Sequence, residues 1–249
     1  MTVSHQVQQC MGTVFSFDIR EPGVSRSAVD MAIARLHQID REFSTYRSDS
    51  AISRLNAGLD RLDDLSPEVQ MVLAQCELWK VYTDGWFSAT AGVTLDPSGY
   101  VKGWALQQVS DILSAAGSVR HSINGGGDIL CRGDIGTGQP WTIGLIDPRD
   151  SSAILSTISG TDFAVATSGT AERGRHILDP HTGHPVADHL ISLTVSGASI
   201  IECDVLATAG FAMGPGAHDW FVAHGDVSAF AIEATGGTWS TFKGSPVPG

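Results

Sequence analysis

Asp204 and Thr208 stand four residues apart in Asp204-Val-Leu-Ala-Thr208, so on a helix a carboxylate and a hydroxyl share one face, one turn apart. Oxygen donors of this kind suit a hard cation such as magnesium, which keeps part of its shell for water and phosphate oxygens. The same pair also reads as an aspartate N-cap with a threonine bonding back to its own helix. Four further segments use residues in ways that core packing does not require. In Leu95-Asp-Pro-Ser-Gly-Tyr-Val-Lys-Gly103, a turn leading into a helix, Asp96 and Lys102 flank Gly99, whose bare backbone can approach a ligand; a loop with a solvated lysine is the alternative. In Ile123-Asn-Gly-Gly-Gly-Asp-Ile129 successive glycine N–H groups can form an anion nest, and a tight hairpin explains the segment equally well. Thr167-Ser-Gly169 precedes the turn-rich His176-Ile-Leu-Asp-Pro-His-Thr-Gly-His-Pro185, where His176 can present an imidazole or its backbone at a loop mouth. His176, His181, His184 and His189 match no zinc spacing template, and the intervening prolines and glycine rule out one helical face. The polar stretch Phe43 to Asn56 contains an aromatic, Tyr46, able to stack on a flat ring, or is a solvent-facing linker.

These segments must be positioned by elements whose patterns can be read along the chain. Thr13 to Arg20 alternates as a strand, and the helix after it carries Val29, Ile33, Leu36, Ile39 and Phe43 at helical spacing, with Ser27 as cap. Ser66-Pro67-Glu68 opens a helix that should end near Asp84-Gly85, and a third helix is expected from about Lys102 to Ala116. Short strands follow at Val119–Asn124, Trp141–Ile146, Ile154–Ile158, Phe163–Thr167 and Leu190–Ser196. A helix from about Asp204 to Met213 and a closing hairpin, Val227–Glu233 with Thr238–Phe242 around Gly236-Gly237, complete the chain. Helices and strands do not alternate strictly, so the expected class is α+β, a largely antiparallel sheet core with packed helices, over residues 1–249 as one domain.

Composition narrows the function classes. A formal charge of -12 on 249 residues argues against a sequence-independent nucleic-acid binder, whose affinity would come from Lys and Arg on phosphates. No stretch approaches the roughly 18 apolar residues of a membrane span, so no membrane insertion is expected. The four cysteines, Cys10, Cys76, Cys131 and Cys203, form no C-x-x-C pair and read as buried free thiols. The polar Met1 to Met11 segment lacks a signal pattern, which gives a cytoplasmic expectation.

Taken in order, Met11-Gly-Thr13, Ser44-Thr-Tyr-Arg47, Asp96 to Gly103, Asn124 to Asp128, Ser168-Gly169, His176 to Pro185 and Asp204 to Thr208 resemble the ApbE family, the FAD:protein FMN transferases. The resemblance spans nearly the whole chain and implies an ApbE-like fold that binds FAD with magnesium on its pyrophosphate. It places Asp204 and Thr208 as metal side chains and Gly99 as a backbone carbonyl ligand. Asp96 and Lys102 become flavin-nucleotide contacts, and Met11, Tyr46 and the His176 to Leu178 stretch line the FAD site. Ser88, in Gly85-Trp-Phe-Ser88, stands at a site position where the family usually has aspartate, and the segment from Ser88 to Asp96 is shorter than usual. The implied partners are FAD and a target flavoprotein carrying an acceptor threonine, with AMP as leaving group and His176 as the candidate base. An FAD pyrophosphatase giving FMN and AMP, and a non-catalytic FAD-binding protein, are the competing expectations.

Overall fold

A computed structural model describes residues 4–170 and 177–242. Helix α1, Arg26–Phe43, forms where the sequence spacing expects it: Val29, Ala32, Leu36, Ile39 and Phe43 recur at three- and four-residue intervals and are buried. Its cap is Ser25 rather than Ser27, with Ser25 Oγ accepting from the Ala28 N–H at 3.2 Å. Within the polar stretch after α1, Ser50 caps a short helix, α2, Ala51–Asn56. Helix α3, Pro67–Tyr82, starts at the Ser66-Pro67 signal. Helix α4 is Ser98–Ala115, four residues longer at its start than expected, and Asp96 Oδ1 accepts the Ser98 N–H at 3.0 Å beside that start. Ile200–Met213 and Ala217–Ala223 form α5 and α6.

Eight strands, numbered in chain order with the two of a separate hairpin, build the main sheet. They are β1 Ser4–Cys10, β2 Thr13–Ile19, β3 His121–Gly125, β4 Asp128–Arg132, β7 Phe163–Gly169, β8 Leu190–Gly197, β9 Ser228–Glu233 and β10 Thr238–Ser240. They lie in the order β1-β2-β3-β4-β7-β8-β9-β10, and every neighbouring pair is antiparallel. β5 Trp141–Asp147 and β6 Asp150–Gly160 pair only with each other, as an antiparallel hairpin with a register shift near Ile146. The mixed helix and antiparallel-sheet class is the one expected.

Alternation along the strands explains the layering. In β7, Ala164 and Ala166 join the large core with α1, α4 and α5, whereas Phe163 and Val165 join a smaller cluster with Trp141 and Leu145 of β5. β9 repeats the pattern, with Ala229 and Ala231 to the helices and Phe230 and Ile232 to the hairpin side. The sheet is thus a middle layer between helices and hairpin. The four cysteines are free and buried, as expected.

One buried polar group ties α4 to the sheet. His121, at the start of β3, is fully buried with its ring between Ser110 Oγ at 2.8 Å and Ser118 Oγ at 3.2 Å. Burial, then Arg132, pushes its pKa down to about 4. The unfolded chain takes up this proton near pH 6.5 and the native protein only near pH 4, so stability falls as pH drops through that window. The wild type is expected to lose roughly 3 kcal/mol more than His121→Gln between pH 7 and pH 4, read by urea unfolding. Parallel pH profiles for the two proteins would refute it.

Candidate active site

Helix α5 is apolar almost all round, the pattern of a helix enclosed by other elements. Ser199 caps it, with Oγ accepting from the Glu202 N–H at 3.3 Å, so Asp204 lies in the second turn and is not the cap. Asp204 is 3% exposed, and its Oδ2 accepts the Gly103 N–H of α4 at 2.7 Å. In a regular helix that N–H serves the Gly99 carbonyl. The two helices meet in register, Gly103 against Asp204 and Gly99 against Thr208. A Cβ on Gly103 would come within 2.8 Å of the Ile200 carbonyl oxygen and 2.9 Å of Asp204 Cβ, and one on Gly99 within 3.2 Å of Thr208 Oγ1. Only glycine permits this approach at position 103. Thr208 Oγ1 lies 3.4 Å from Ser168 Oγ at the end of β7.

Beside this pair stands Asp128, the first residue of β4. It follows a two-residue turn, Gly126-Gly127, with φ of 62° and 89°, values that favour glycine at both positions. Asn124 Oδ1 accepts the Gly127 N–H at 3.0 Å, so the glycine run is a tight hairpin. Asp128 is fully buried, its Oδ1 accepts the Thr167 N–H at 3.1 Å, and its Oδ2 lies 2.8 Å from Lys102 Nζ. That last contact is an ion contact and not an aligned hydrogen bond. Burial, and next the neighbouring Asp128, push the Asp204 carboxyl well above the usual carboxylate range, against the opposing pull of Lys102 and the Gly103 N–H. Two buried carboxylates face one ammonium here, and the shortfall of positive charge, with Thr208 Oγ1 and the Gly99 backbone alongside, fits a hard divalent cation bound through oxygen. Among the described residues no cluster of three or more His, Cys, Asp or Glu side chains is placed to hold a metal ion, at this cleft or elsewhere.

Gly99, Lys102, Ser168, Asp204 and Thr208 line a cleft of about 810 Å³ at the end of the sheet where the β1–β2 and β3–β4 turns, the end of β7 and the start of β8 come together, with Asp128 enclosed behind Lys102. Met11, Tyr46, Asp96, Gly99, Lys102, Asp204 and Thr208 all line it. Met11 occupies the left-handed region, φ 53°, in a two-residue turn with Gly12, a conformation that costs a non-glycine residue of order 1 kcal/mol and puts its side chain at the cleft. Ser88 and Leu178 lie outside the lining. Ser88 Oγ accepts the Thr90 N–H at 3.1 Å, and Leu178 bridges Pro185 with its Cδ1 against Gly92. His176 lies outside the described residues. His181 packs its ring edge-on to Trp86 at 4.5 Å.

Sequence reasoning assigned no role to Asp128, nor to the apolar wall of Ile129, Val165, Phe230 and Ile232 with Ile143 to Ile146 of β5. A carboxylate opening an otherwise apolar strand was the available signal for Asp128; the wall carries none, because its residues read as ordinary core.

The chain matches the ApbE family over residues 11–94 and 88–231. It is similar to the FAD:protein FMN transferase of Vibrio cholerae, 28% identical over 82% of this chain and 79% of that protein. It is similar also to that of Escherichia coli K12, 23% identical over 95% of this chain and 68% of that protein. Among solved structures, the ApbE protein of Thermotoga maritima superposes with a TM-score of 0.85 at 21% identity, covering 96% of both chains. The flavin transferase ApbE of Vibrio cholerae gives 0.84 at 22% identity, with the same coverage. At these identities the superpositions show the fold.

Proposed function

Because the chain belongs to the ApbE family, we propose that it is a magnesium-dependent FAD:protein FMN transferase, which cleaves FAD and attaches FMN through a phosphoester to a threonine of a target flavoprotein. AMP is the other product. The observation that carries this reading is the register of α4 on α5, which puts Gly99, Thr208 and Asp204 at one place in a cleft that also holds Lys102.

Asp204, Thr208 Oγ1 and the Gly99 carbonyl would hold the ion, which when bound withdraws charge from a pyrophosphate and eases departure of the AMP phosphate. The chain's own groups do the rest. Lys102 brings a positive charge into the cleft beside that position. The apolar wall of Ile129, Val165, Phe230 and Ile232 receives a flat apolar ring and keeps water from its face. Tyr46, which also lines the cleft, offers an aromatic surface. The incoming threonine oxygen attacks the FMN-side phosphorus, the bond from that phosphorus to the bridging oxygen breaks, and His176 takes the hydroxyl proton.

Among the described residues no helix is long and apolar enough to cross a membrane. The test is to incubate the protein with FAD, magnesium and a candidate acceptor, following AMP by chromatography and covalent flavin on the acceptor. AMP in step with labelled acceptor is expected. FMN and AMP in equal amounts, with no acceptor labelled, would make the protein a pyrophosphatase; FAD bound and intact for hours would make it a binding protein.

A further inference from the structure

We propose that Asp128 is a positioning residue for the reaction, acting through Lys102: its buried carboxylate fixes where the lysine ammonium stands in the cleft, and so where the diphosphate of the bound nucleotide is gripped. The inference rests on the FAD-cleaving reading above. The ion pair is asymmetric. Asp128 is wholly enclosed, whereas Lys102 retains some exposure and lines the cleft, so one end is an anchor and the other reaches the ligand. Asp128 itself is held rigidly, at the first position after the Gly126-Gly127 turn and by the Thr167 N–H on its second oxygen. The pair therefore joins β4, β7 and α4 beside the cleft.

A buried carboxylate paired with a lysine is poor evidence of stabilisation, because removing both charges from water offsets most of their attraction. A role in orientation accounts for the pair better. A lysine side chain is a compact charge on a flexible four-carbon stem, and aiming it in advance removes the disorder that binding would otherwise have to suppress.

The sign of one measurement separates this role from a bulk electrostatic one. If Asp128 only diluted the positive potential, Asp128→Asn would tighten FAD; if it aims Lys102, the same change weakens FAD. Flavin fluorescence titration without divalent cation is expected to show about tenfold weaker FAD binding for Asp128→Asn. In a Lys102→Met background the same substitution is expected to change binding less than twofold. The asparagine keeps an oxygen for the Thr167 N–H, and far-UV circular dichroism with Tm establishes folding; Lys102→Gln serves as the background should Lys102→Met not fold. Tighter binding by Asp128→Asn, an unchanged affinity, or an equal loss in both backgrounds overturns the proposal. A wild type that neither binds nor cleaves FAD overturns the functional reading itself, which is a different result.

Discussion

Asp204→Asn is expected to slow FAD cleavage by about three orders of magnitude, roughly 4 kcal/mol of barrier, and to leave the protein at least as stable as the wild type. The two halves of this result have separate causes. Asparagine keeps an oxygen for the Gly103 N–H that Asp204 accepts at 2.7 Å, so the contact between α4 and α5 persists. It also removes a carboxyl that burial and Asp128 already push well above its ordinary range, so the metal-free fold gains where a charge is lost. What disappears is the anionic oxygen that the proposed divalent cation would need beside Thr208. If the proposed site holds magnesium, the ion is expected to raise the stability of the wild type by mass action, about 2.7 kcal/mol at a hundredfold excess over its dissociation constant, and to do nothing for the variant. AMP release by chromatography and thermal unfolding with and without magnesium read both effects. A variant that cleaves FAD within tenfold of the wild type, or that magnesium stabilises equally, would remove Asp204 from the metal site.

Why some of this could be read in the sequence and some could not follows from where each signal is stored. Ser66-Pro67-Glu68 announces α3 because capping is local chemistry, and the helix begins there. The start of α4 at Ser98 is not legible, because Gly99 and Gly103 are poor helix formers in isolation. They are present because α5 packs against their missing side chains, a tertiary requirement. The start of α5 is written in the sequence: Ser199 followed by Glu202 has the spacing of a capping box, which places Asp204 inside the helix and not at its cap. Asp204 and Thr208 are found by spacing, but the carboxylate that leaves their surroundings short of positive charge, Asp128, and the Gly103 N–H that holds Asp204 come from elements 76 or more residues away in the chain. β1, rich in glutamine, carries no burial pattern strong enough to declare a strand; it exists because it pairs with β2 along its whole length. The hairpin of β5 and β6 was half visible as two strands, yet its separation from the main sheet depends on which face of β7 and β9 it covers, and alternation alone does not say that.

Tyr46→Ala should weaken FAD binding roughly tenfold, about 1.4 kcal/mol, with no measurable cost in stability. Tyr46 is 88% exposed, so its ring contributes little to the core, and truncation of such a residue ordinarily changes stability by less than about 0.5 kcal/mol. Its backbone, in contrast, is fixed. Ser44 ends α1 with its N–H on the Asp40 carbonyl, and Ser44 Oγ accepts the Tyr46 and Arg47 N–H groups at 3.2 and 3.3 Å. Ser50 and Ser53 donate their hydroxyls to the Ser44 carbonyl, which ties this turn to α2. An aromatic ring held out from a well-braced turn onto the rim of a cleft has its area available for a ligand and little freedom to lose on binding. Tyr46→Phe should bind FAD as the wild type does if stacking is the contribution, and as weakly as Tyr46→Ala if the hydroxyl is. Flavin fluorescence titration of the three proteins decides it, and unchanged affinity for Tyr46→Ala would show that the ring stands beside the cleft without touching what binds there.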